Sequence, residues 1–96
     1  MTNFYVTYKL SGKEERDSFY REVKNCGSIE KSRMDDGCMR YEFFFPADSD
    51  TDIFLWEQWE TRDAQKEHLK QPHYLEFAKI KEKYDVKTDI ITEDSL

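Results

Sequence analysis

The most constraining feature of the sequence is a pair of stretches, residues 38–45 and 53–59, in which large side chains alternate along the chain. One side of the second stretch carries Ile53, Leu55, Glu57 and Trp59, and the other carries Phe54, Trp56 and Gln58. A period of two is typical of a β-strand, whose successive side chains point to opposite faces of a sheet. Both faces of the sheet that these strands form are therefore rich in apolar rings.

The first half of the chain predicts a strand and a helix ahead of these stretches. Large apolar side chains recur at every second residue from 4 to 10, which predicts strand one. Ser11 and Glu14 have the spacing of a capping box, which predicts that a helix begins there. Gly27 can end that helix, because glycine readily adopts the left-handed conformation found at helix C-termini.

The second half predicts two helices and a last strand. Thr61 can cap a helix that carries His68, and Pro72 stops that helix. Proline is tolerated in the first turn of the helix that follows. The side chains of residues 86–91 follow a period of two, which predicts strand four.

The predicted order is β-α-β-β-α-β, which is the ferredoxin-like α+β arrangement with an antiparallel sheet. A chain of 96 residues closes one core, so we expect a single domain with residues 1–92 as its core and 93–96 as a loose acidic tail. The helices cover one sheet face, and the apolar rings on the other face would be left in water. Dimerisation through that second face is the economical solution.

The net charge of −6 argues against several partners. An acidic chain without a stripe of basic residues repels a phosphate backbone, so nucleic acid and anionic membrane surfaces are not expected partners. The absence of a long apolar run and of a basic, hydrophobic leader predicts a cytoplasmic protein. Cys26 and Cys38 form no C-x-x-C pair, and we expect both to be reduced, small core residues, with a disulfide left open until geometry is known.

The stretch from Glu57 to His73 carries the chemistry. It reads Glu57-Gln58-Trp59-Glu60-Thr61, then Glu67-His68-Leu69, then Gln71-Pro72-His73-Tyr74. These segments resemble the E-x-W-x-S/T, H-L and P-H-aromatic motifs of the antibiotic biosynthesis monooxygenase superfamily, particularly its quinol monooxygenase branch. Residues 35–41 also resemble that family's E-x-G-C-x-x-Y/F motif, with Asp35 where its glutamate usually stands.

The resemblance implies a dimeric α+β barrel in which two ferredoxin-like protomers face their sheets together. It further implies a cofactor-independent monooxygenase that oxidises a quinol-like or polycyclic aromatic substrate with dioxygen as co-substrate. Such chemistry needs a base near a phenolic hydroxyl and a dry apolar slot for flat rings. The expected partners are a small aromatic substrate and a second copy of the chain.

His68 is the candidate base, because an imidazole is the side chain best matched to proton transfer near neutral pH. Trp59 is the second candidate catalytic residue, as a wall of the slot whose N–H holds a substrate oxygen. Four further residues are expected to bind substrate: Tyr41, Leu55, His73 and Phe77. The alternative for each of these side chains is an ordinary core position.

A metal site is not expected from the sequence. His68 and His73 are five residues apart with a proline between them, which is not the i, i+4 spacing that places two ligands on one helix face.

Three other functions remain open at this point. The same fold supports haem-degrading monooxygenases, which need an axial histidine on the last helix, where this chain has Phe77, Ala78 and Ile80. It also supports isomerases of small phosphorylated carbohydrates, for which Arg40 and Lys70 are the available cations. A non-catalytic dimer that only binds a small ligand is the third alternative.

Overall fold

The computed structural model describes residues 1–94, which form four strands and four helices. In chain order these are β1 (Thr2–Lys9), α1 (Lys13–Asn25), α2 (Ser28–Arg33), β2 (Cys38–Phe44), β3 (Asp52–Trp59), α3 (Arg62–His68), α4 (Pro72–Lys83) and β4 (Lys87–Asp94). No helix within these residues has the length and apolar character needed to cross a bilayer.

The four strands form one antiparallel sheet in the order β2-β3-β1-β4. β3 and β1 are the central strands, paired from Thr2 with Trp59 to Lys9 with Asp52. Together with helices on one face, this order confirms the predicted ferredoxin-like α+β fold. The short helices α2 and α3 are additions to the six-element β-α-β-β-α-β order, and α3 is the helix predicted to carry His68.

The face of the sheet beneath the helices holds the core. Its strand residues Val6, Tyr8, Tyr41, Ile53, Leu55 and Trp59 are buried, as are Phe19 and Val23 of α1 and Phe77 of α4. Tyr8, Phe19 and Phe77 make edge-on or tilted ring contacts at 5.7 to 6.1 Å between centroids. Ring pairs in this arrangement stabilise the fold slightly more than their buried area alone would. A few large side chains can therefore hold a small core together.

Two predicted helix and strand ends are corrected by the structure. The capping box at Ser11 is wrong, because Gly12 occupies the N-cap of α1 in an extended conformation and makes no side-chain cap bond. The predicted loose tail is wrong at Glu93 and Asp94, since β4 continues through Asp94 and pairs it with Thr2. Arg62 holds that end by a forked ion pair, in which Nε donates to Oδ1 and Nη2 to Oδ2 of the Asp94 carboxylate. Residues 95 and 96 lie outside the described residues.

Other predicted ends are confirmed. The Thr61 hydroxyl accepts a hydrogen bond from the backbone N–H of Ala64 at 3.1 Å, which caps α3. Pro72 is the first residue of α4, where its missing N–H costs nothing.

Both cysteines are free thiols and half-buried.

The outer face of the sheet is aromatic and partly exposed. Its rings form a chain of contacts, with centroids of Tyr5 and Trp56 6.1 Å apart, Tyr5 and Phe54 6.4 Å apart, and Phe44 and Phe54 6.0 Å apart. Ile91 on β4 lies opposite Tyr5 and is 68% exposed. Trp56 lies on this face, opposite to Trp59, as the alternation predicts. We call Tyr5, Phe44, Phe54, Trp56 and Ile91 the outer aromatic face.

A tight turn between α2 and β2 brings the N-terminal edge of β2 against α3. Gly37 sits in this turn with φ of +81°, and a Cβ added there would lie 2.6 Å from the Cβ of Ala64. Its carbonyl accepts a hydrogen bond from the N–H of Glu60 at 2.8 Å. Glycine is required here both for the left-handed backbone and for the close approach of α3.

The Gly37 contact can be tested against a matched glycine. Gly27 has φ of +82° but its added Cβ would meet nothing closer than 3.8 Å. Gly27→Ala should therefore cost only backbone strain, about 1 kcal/mol, whereas Gly37→Ala should cost about 1–3 kcal/mol more through overlap with Ala64. Urea unfolding of both variants measures the difference. Equal losses of stability would contradict the proposed close packing of α3 on this turn.

Candidate functional site

One carboxylate oxygen joins the two histidines of the chain. Asp35, in the turn before β2, accepts a hydrogen bond at Oδ2 from Nδ1 of His68 at 2.7 Å and from Nε2 of His73 at 2.8 Å. His68 is the last residue of α3 and His73 the second residue of α4. The side chains are 1%, 11% and 14% exposed for His68, His73 and Asp35, respectively. Three separate elements are thus tied together at one buried point.

The ring of His68 is enclosed by aromatic side chains. Its centroid lies 4.8 Å from Trp59, 5.3 Å from Tyr74 and 5.6 Å from Tyr41. Because Nδ1 is held by Asp35, Nε2 is the ring nitrogen that remains for chemistry with a bound molecule. The carboxylate fixes both the orientation of the ring and the nitrogen that carries the proton.

Burial lowers the pKa of His68 below its ordinary value of 6.5, and the hydrogen bond and charge of Asp35 oppose this only in part. The imidazole is therefore neutral at neutral pH. A neutral imidazole with a free lone pair can accept a proton, which is the requirement for a general base.

Glu57 is a second titratable group on the same face of the sheet. It is buried at 8% exposure and its Oε1 accepts a hydrogen bond from the indole N–H of Trp59 at 3.1 Å. Burial raises the pKa of Glu57 to about 7, although the Trp59 hydrogen bond and the positive charge of Lys81 act to lower it. The carboxyl group is therefore close to half-protonated at neutral pH, unlike an exposed glutamate.

Lys81 of α4 supplies the positive charge near this carboxyl group. Its ammonium lies over the rings of Phe77, Tyr74 and Tyr8 at 5.0, 5.3 and 5.6 Å, and it donates to the Tyr74 hydroxyl at 3.3 Å. Cation–π contacts of this kind favour the charged form of lysine beside apolar surface. The site therefore holds charges of both signs against aromatic walls.

The structure brings together four of the six residues predicted for the site. His68, Trp59, Tyr41 and His73 lie in one cluster, with His68 in the centre. Phe77 is one ring further away and contacts Tyr74 at 6.1 Å. Leu55 is fully buried in β3 with Val6 and Phe43 as its strand neighbours, a core position. The N–H of Trp59, predicted to hold substrate, is engaged by Glu57.

Two clefts open toward this cluster. One, of about 390 Å³, reaches His68 and Asp35, and it is lined by Asp35, Asp36, Gly37, Glu60, Thr61, Asp63, Ala64, Glu67, His68 and Gln71. We call it the acidic cleft, because none of these lining residues is lysine or arginine. The other, of about 470 Å³, runs along the edge of β2 between Tyr20, Arg33, Arg40, Tyr41 and Phe43. Tyr41 lines the β2-edge cleft, and its ring centroid lies 5.6 Å from that of His68.

Sequence reasoning assigned no role to Asp35 or Glu57. Asp35 lies in a D-D-G turn, where its place in the family-like motif was the only sequence signal, because its contacts span 33 and 38 residues of chain. Glu57 left a detectable signal, since it shares the inward parity of Ile53, Leu55 and Trp59, and a carboxylate in such a row must be buried.

Comparisons with known proteins identify the family and support the fold. Residues 4–80 match the sequence model of a family described as "Antibiotic biosynthesis monooxygenase". No curated protein matches the chain significantly.

Several solved structures share the fold over nearly the whole chain. A Deinococcus radiodurans protein that carries the same family name is 18% identical with a TM-score of 0.85, covering 100% of this chain and 93% of its own. A Nitrosomonas europaea protein, also so named, is 21% identical with a TM-score of 0.82 and 98% coverage of both chains. A variant of SnoaB, a cofactor-independent oxygenase from Streptomyces nogalater, is 17% identical with a TM-score of 0.76, covering 98% and 91%.

The raised pKa of Glu57 predicts a pH-dependent effect on stability. The folded chain keeps a proton that the unfolded chain loses near pH 4.5, so the stabilisation from this group is complete below that pH and is lost as the pH rises through about 7. Glu57→Gln keeps an acceptor for Trp59 but cannot ionise. The variant should gain up to about 3 kcal/mol over the parent protein between pH 4.5 and 8.

Urea unfolding at several pH values and a fixed protein concentration measures this gain. Glu67→Gln, at a carboxylate 66% exposed, is the matched control and should follow the parent protein at every pH. A constant difference between Glu57→Gln and the parent would show that Glu57 ionises normally in the folded state.

Proposed function

Since the chain belongs to the antibiotic biosynthesis monooxygenase family, we propose that it is a cofactor-independent monooxygenase that oxidises a neutral, electron-rich phenol of the quinol or polycyclic aromatic class with dioxygen. The observation that carries this proposal is the buried pair of Asp35 and His68 against the ring of Trp59. The pair supplies an oriented, neutral base in an aromatic environment. Deprotonation of a phenol requires a base of this kind and an environment that accommodates the aromatic ring.

His68 would take the phenolic proton at Nε2 while Asp35 stabilises the resulting imidazolium through Nδ1–H. Burial disfavours that cation and Asp35 favours it, so the carboxylate decides how readily the proton is accepted. The substrate becomes a phenolate, which is a far better electron donor than the phenol. Deprotonation is the step that the protein accelerates most directly.

Dioxygen alone accepts the electrons in the subsequent steps. The phenolate transfers one electron to dioxygen, and the phenoxyl radical and superoxide combine at a ring carbon that bears hydrogen. The hydroperoxide formed there loses water to leave a carbonyl group, so one oxygen atom enters the product and the other leaves as water. His68 returns its proton to the peroxide or the departing hydroxide. A site that excludes water protects these intermediates.

The aromatic walls would come from Tyr41, Trp59 and Tyr74, the rings around His68. A substrate hydroxyl would approach His68 through the acidic cleft, which this histidine lines. His73 would brace Asp35 at the mouth, and Leu55 and Phe77 would form the apolar floor behind the rings. Trp59 would act as an apolar wall, because its N–H already binds Glu57.

The charge of the acidic cleft distinguishes this function from two alternatives. A phosphorylated carbohydrate would have to pass five carboxylates with no lysine or arginine among the lining residues, which like-charge repulsion disfavours. Haem carries two carboxylates and needs an axial ligand from the last helix. The histidine of α4 is His73, which lies in the first turn of the helix beside Asp35 rather than farther along it.

We also infer a homodimer that buries the outer aromatic face. Phe44 and Ile91 are 42% and 68% exposed on that face, and they adjoin Tyr5, Phe54 and Trp56. A contiguous apolar patch on a sheet gains free energy by pairing with its own copy across a twofold axis.

Replacing His68 tests the catalytic proposal. His68→Gln should lower turnover at pH 7 by about 10²-fold or more, the usual contribution of a general base. The assay follows oxygen uptake with a panel of quinols and hydroxylated polycyclic phenols, and ¹⁸O₂ labelling should place one labelled atom in the product. Asp50→Asn in the β2–β3 loop is the control and should retain full activity. Activity retained in His68→Gln, or no enhancement by the parent protein with any compound, would refute the proposal.

Replacing Asp35 tests how the base is positioned. Because Asp35 raises the pKa of His68, Asp35→Asn should lower that pKa further. The rate should then have a lower maximum, and its rising acid limb should move to lower pH. A lower rate with an unmoved limb would assign Asp35 a purely structural role.

The dimer is tested by placing a charge on the outer aromatic face. Phe54→Glu should convert the dimer to a monomer in sedimentation velocity experiments, because a buried unpaired carboxylate costs several kcal/mol. Leu75→Glu, on the exposed side of α4 at 52% exposure, is the matched control and should leave the dimer intact. If both variants sediment like the parent protein, the dimer interface lies elsewhere.

A further inference from the structure

We propose that Asp35, His68 and His73 form a binding site for a divalent transition-metal ion of the Zn²⁺ class, which enters through the acidic cleft. The site goes beyond the proposed oxygenase activity and needs no substrate. It rests on the donor set, its geometry and the charge of the approach.

The donor set is two imidazole nitrogens and one carboxylate oxygen. The three donor atoms all lie within 4.8 Å of one another. This combination suits Zn²⁺, Co²⁺ or Fe²⁺, whereas Mg²⁺ and Ca²⁺ prefer oxygen ligands alone. Three protein ligands leave further positions for water, as in many zinc enzymes.

The three ligands are held in place without the ion. Each comes from a different element, and the side chains are 14% exposed or less. Ligand atoms around tetrahedral Zn²⁺ are about 3.3 Å apart, from bond lengths near 2.0–2.1 Å. The nitrogens lie 2.7 and 2.8 Å from Asp35 Oδ2. Binding of the ion would therefore move each nitrogen about half an ångström away from Asp35 Oδ2.

Proton accounting allows the exchange. In the hydrogen-bonded state Nδ1 of His68 and Nε2 of His73 carry the protons that Asp35 accepts. When the ion binds these nitrogens, each ring keeps its single proton on the other nitrogen. The ion thus replaces two hydrogen bonds with three metal–ligand bonds.

The approach to the site attracts cations. The acidic cleft ends at Asp35 and His68, and its lining also includes Asp36, Glu60, Asp63 and Glu67, with no lysine or arginine among the lining residues. A concave surface of one sign concentrates counter-ions. The cleft therefore provides an entry path, which a buried metal site needs.

Metal binding has a consequence that rests on the proposed function. An ion at Nδ1 would keep the proton of His68 on Nε2, and that nitrogen could then no longer accept a phenolic proton. The same three residues would thus be an oxygenase base without metal and an inhibited site with metal.

The experiment is a titration of the full-length, tag-free protein with Co²⁺ after treatment with a chelator. We expect visible d–d absorption that saturates at one Co²⁺ per chain and disappears when Zn²⁺ is added. His73→Gln and Asp35→Asn should each weaken binding by roughly 100-fold or more. Asp48→Asn, at an acidic residue of the β2–β3 loop, is the control and should bind as the parent protein does. Near-UV circular dichroism checks that each variant is folded.

Three results would overturn the proposal: no saturable Co²⁺ absorption, unchanged affinity in both folded ligand variants, or an intense near-ultraviolet thiolate band that is lost in Cys38→Ser. The titration contains no phenolic substrate. Metal binding can therefore succeed or fail independently of the oxygenase assay.

Discussion

The burial of one row of side chains along β3 connects the fold to the site. β3 pairs with β1 on one side and β2 on the other, and its inward residues Ile53, Leu55, Glu57 and Trp59 are all buried. The first two belong to the hydrophobic core, and the last two extend the same row into the candidate site. The hydrophobic burial that stabilises the sheet therefore also fixes the position of Trp59 and keeps Glu57 away from water.

Much of the fold was predictable because its signals are local. Alternation places Trp59 and Trp56 on opposite faces, and Thr61 and Pro72 mark helix starts as expected. The capping box failed because Gly12 takes the N-cap, one residue past the serine that the motif requires. The end of β4 was missed because its pairing with β1 and its ion pair to Arg62 depend on residues distant in sequence.

The site was only partly predictable for the same reason. The family motifs indicate His68 and Trp59, which the structure places in contact. They do not show that the turn before β2 folds back onto both histidines, since that depends on Gly37 packing against Ala64. A five-residue spacing excludes a shared helix face. It does not exclude two helices whose adjoining ends meet at one carboxylate.

Burial disfavours the charged form of two groups in the site. Burial raises the pKa of Glu57 and lowers that of His68, so each disfavours its charged form near neutral pH. The partners differ, because Asp35 favours the imidazolium whereas the Trp59 N–H and Lys81 favour the carboxylate of Glu57. A modest change in polarity around the cluster would shift both equilibria.

The sheet order has a further consequence for the behaviour of the protein at high concentration. Among the strands within residues 1–94, β4 pairs with β1 alone, and all eight of its residues are exposed. The backbone groups on its outer edge are therefore open to pairing with another strand. The strand carries Lys87, Asp89, Glu93 and Asp94, and such charges make uncontrolled strand addition costly. The outer aromatic face can thus pair with a defined partner, while the charges on the β4 edge disfavour aggregation through added strands.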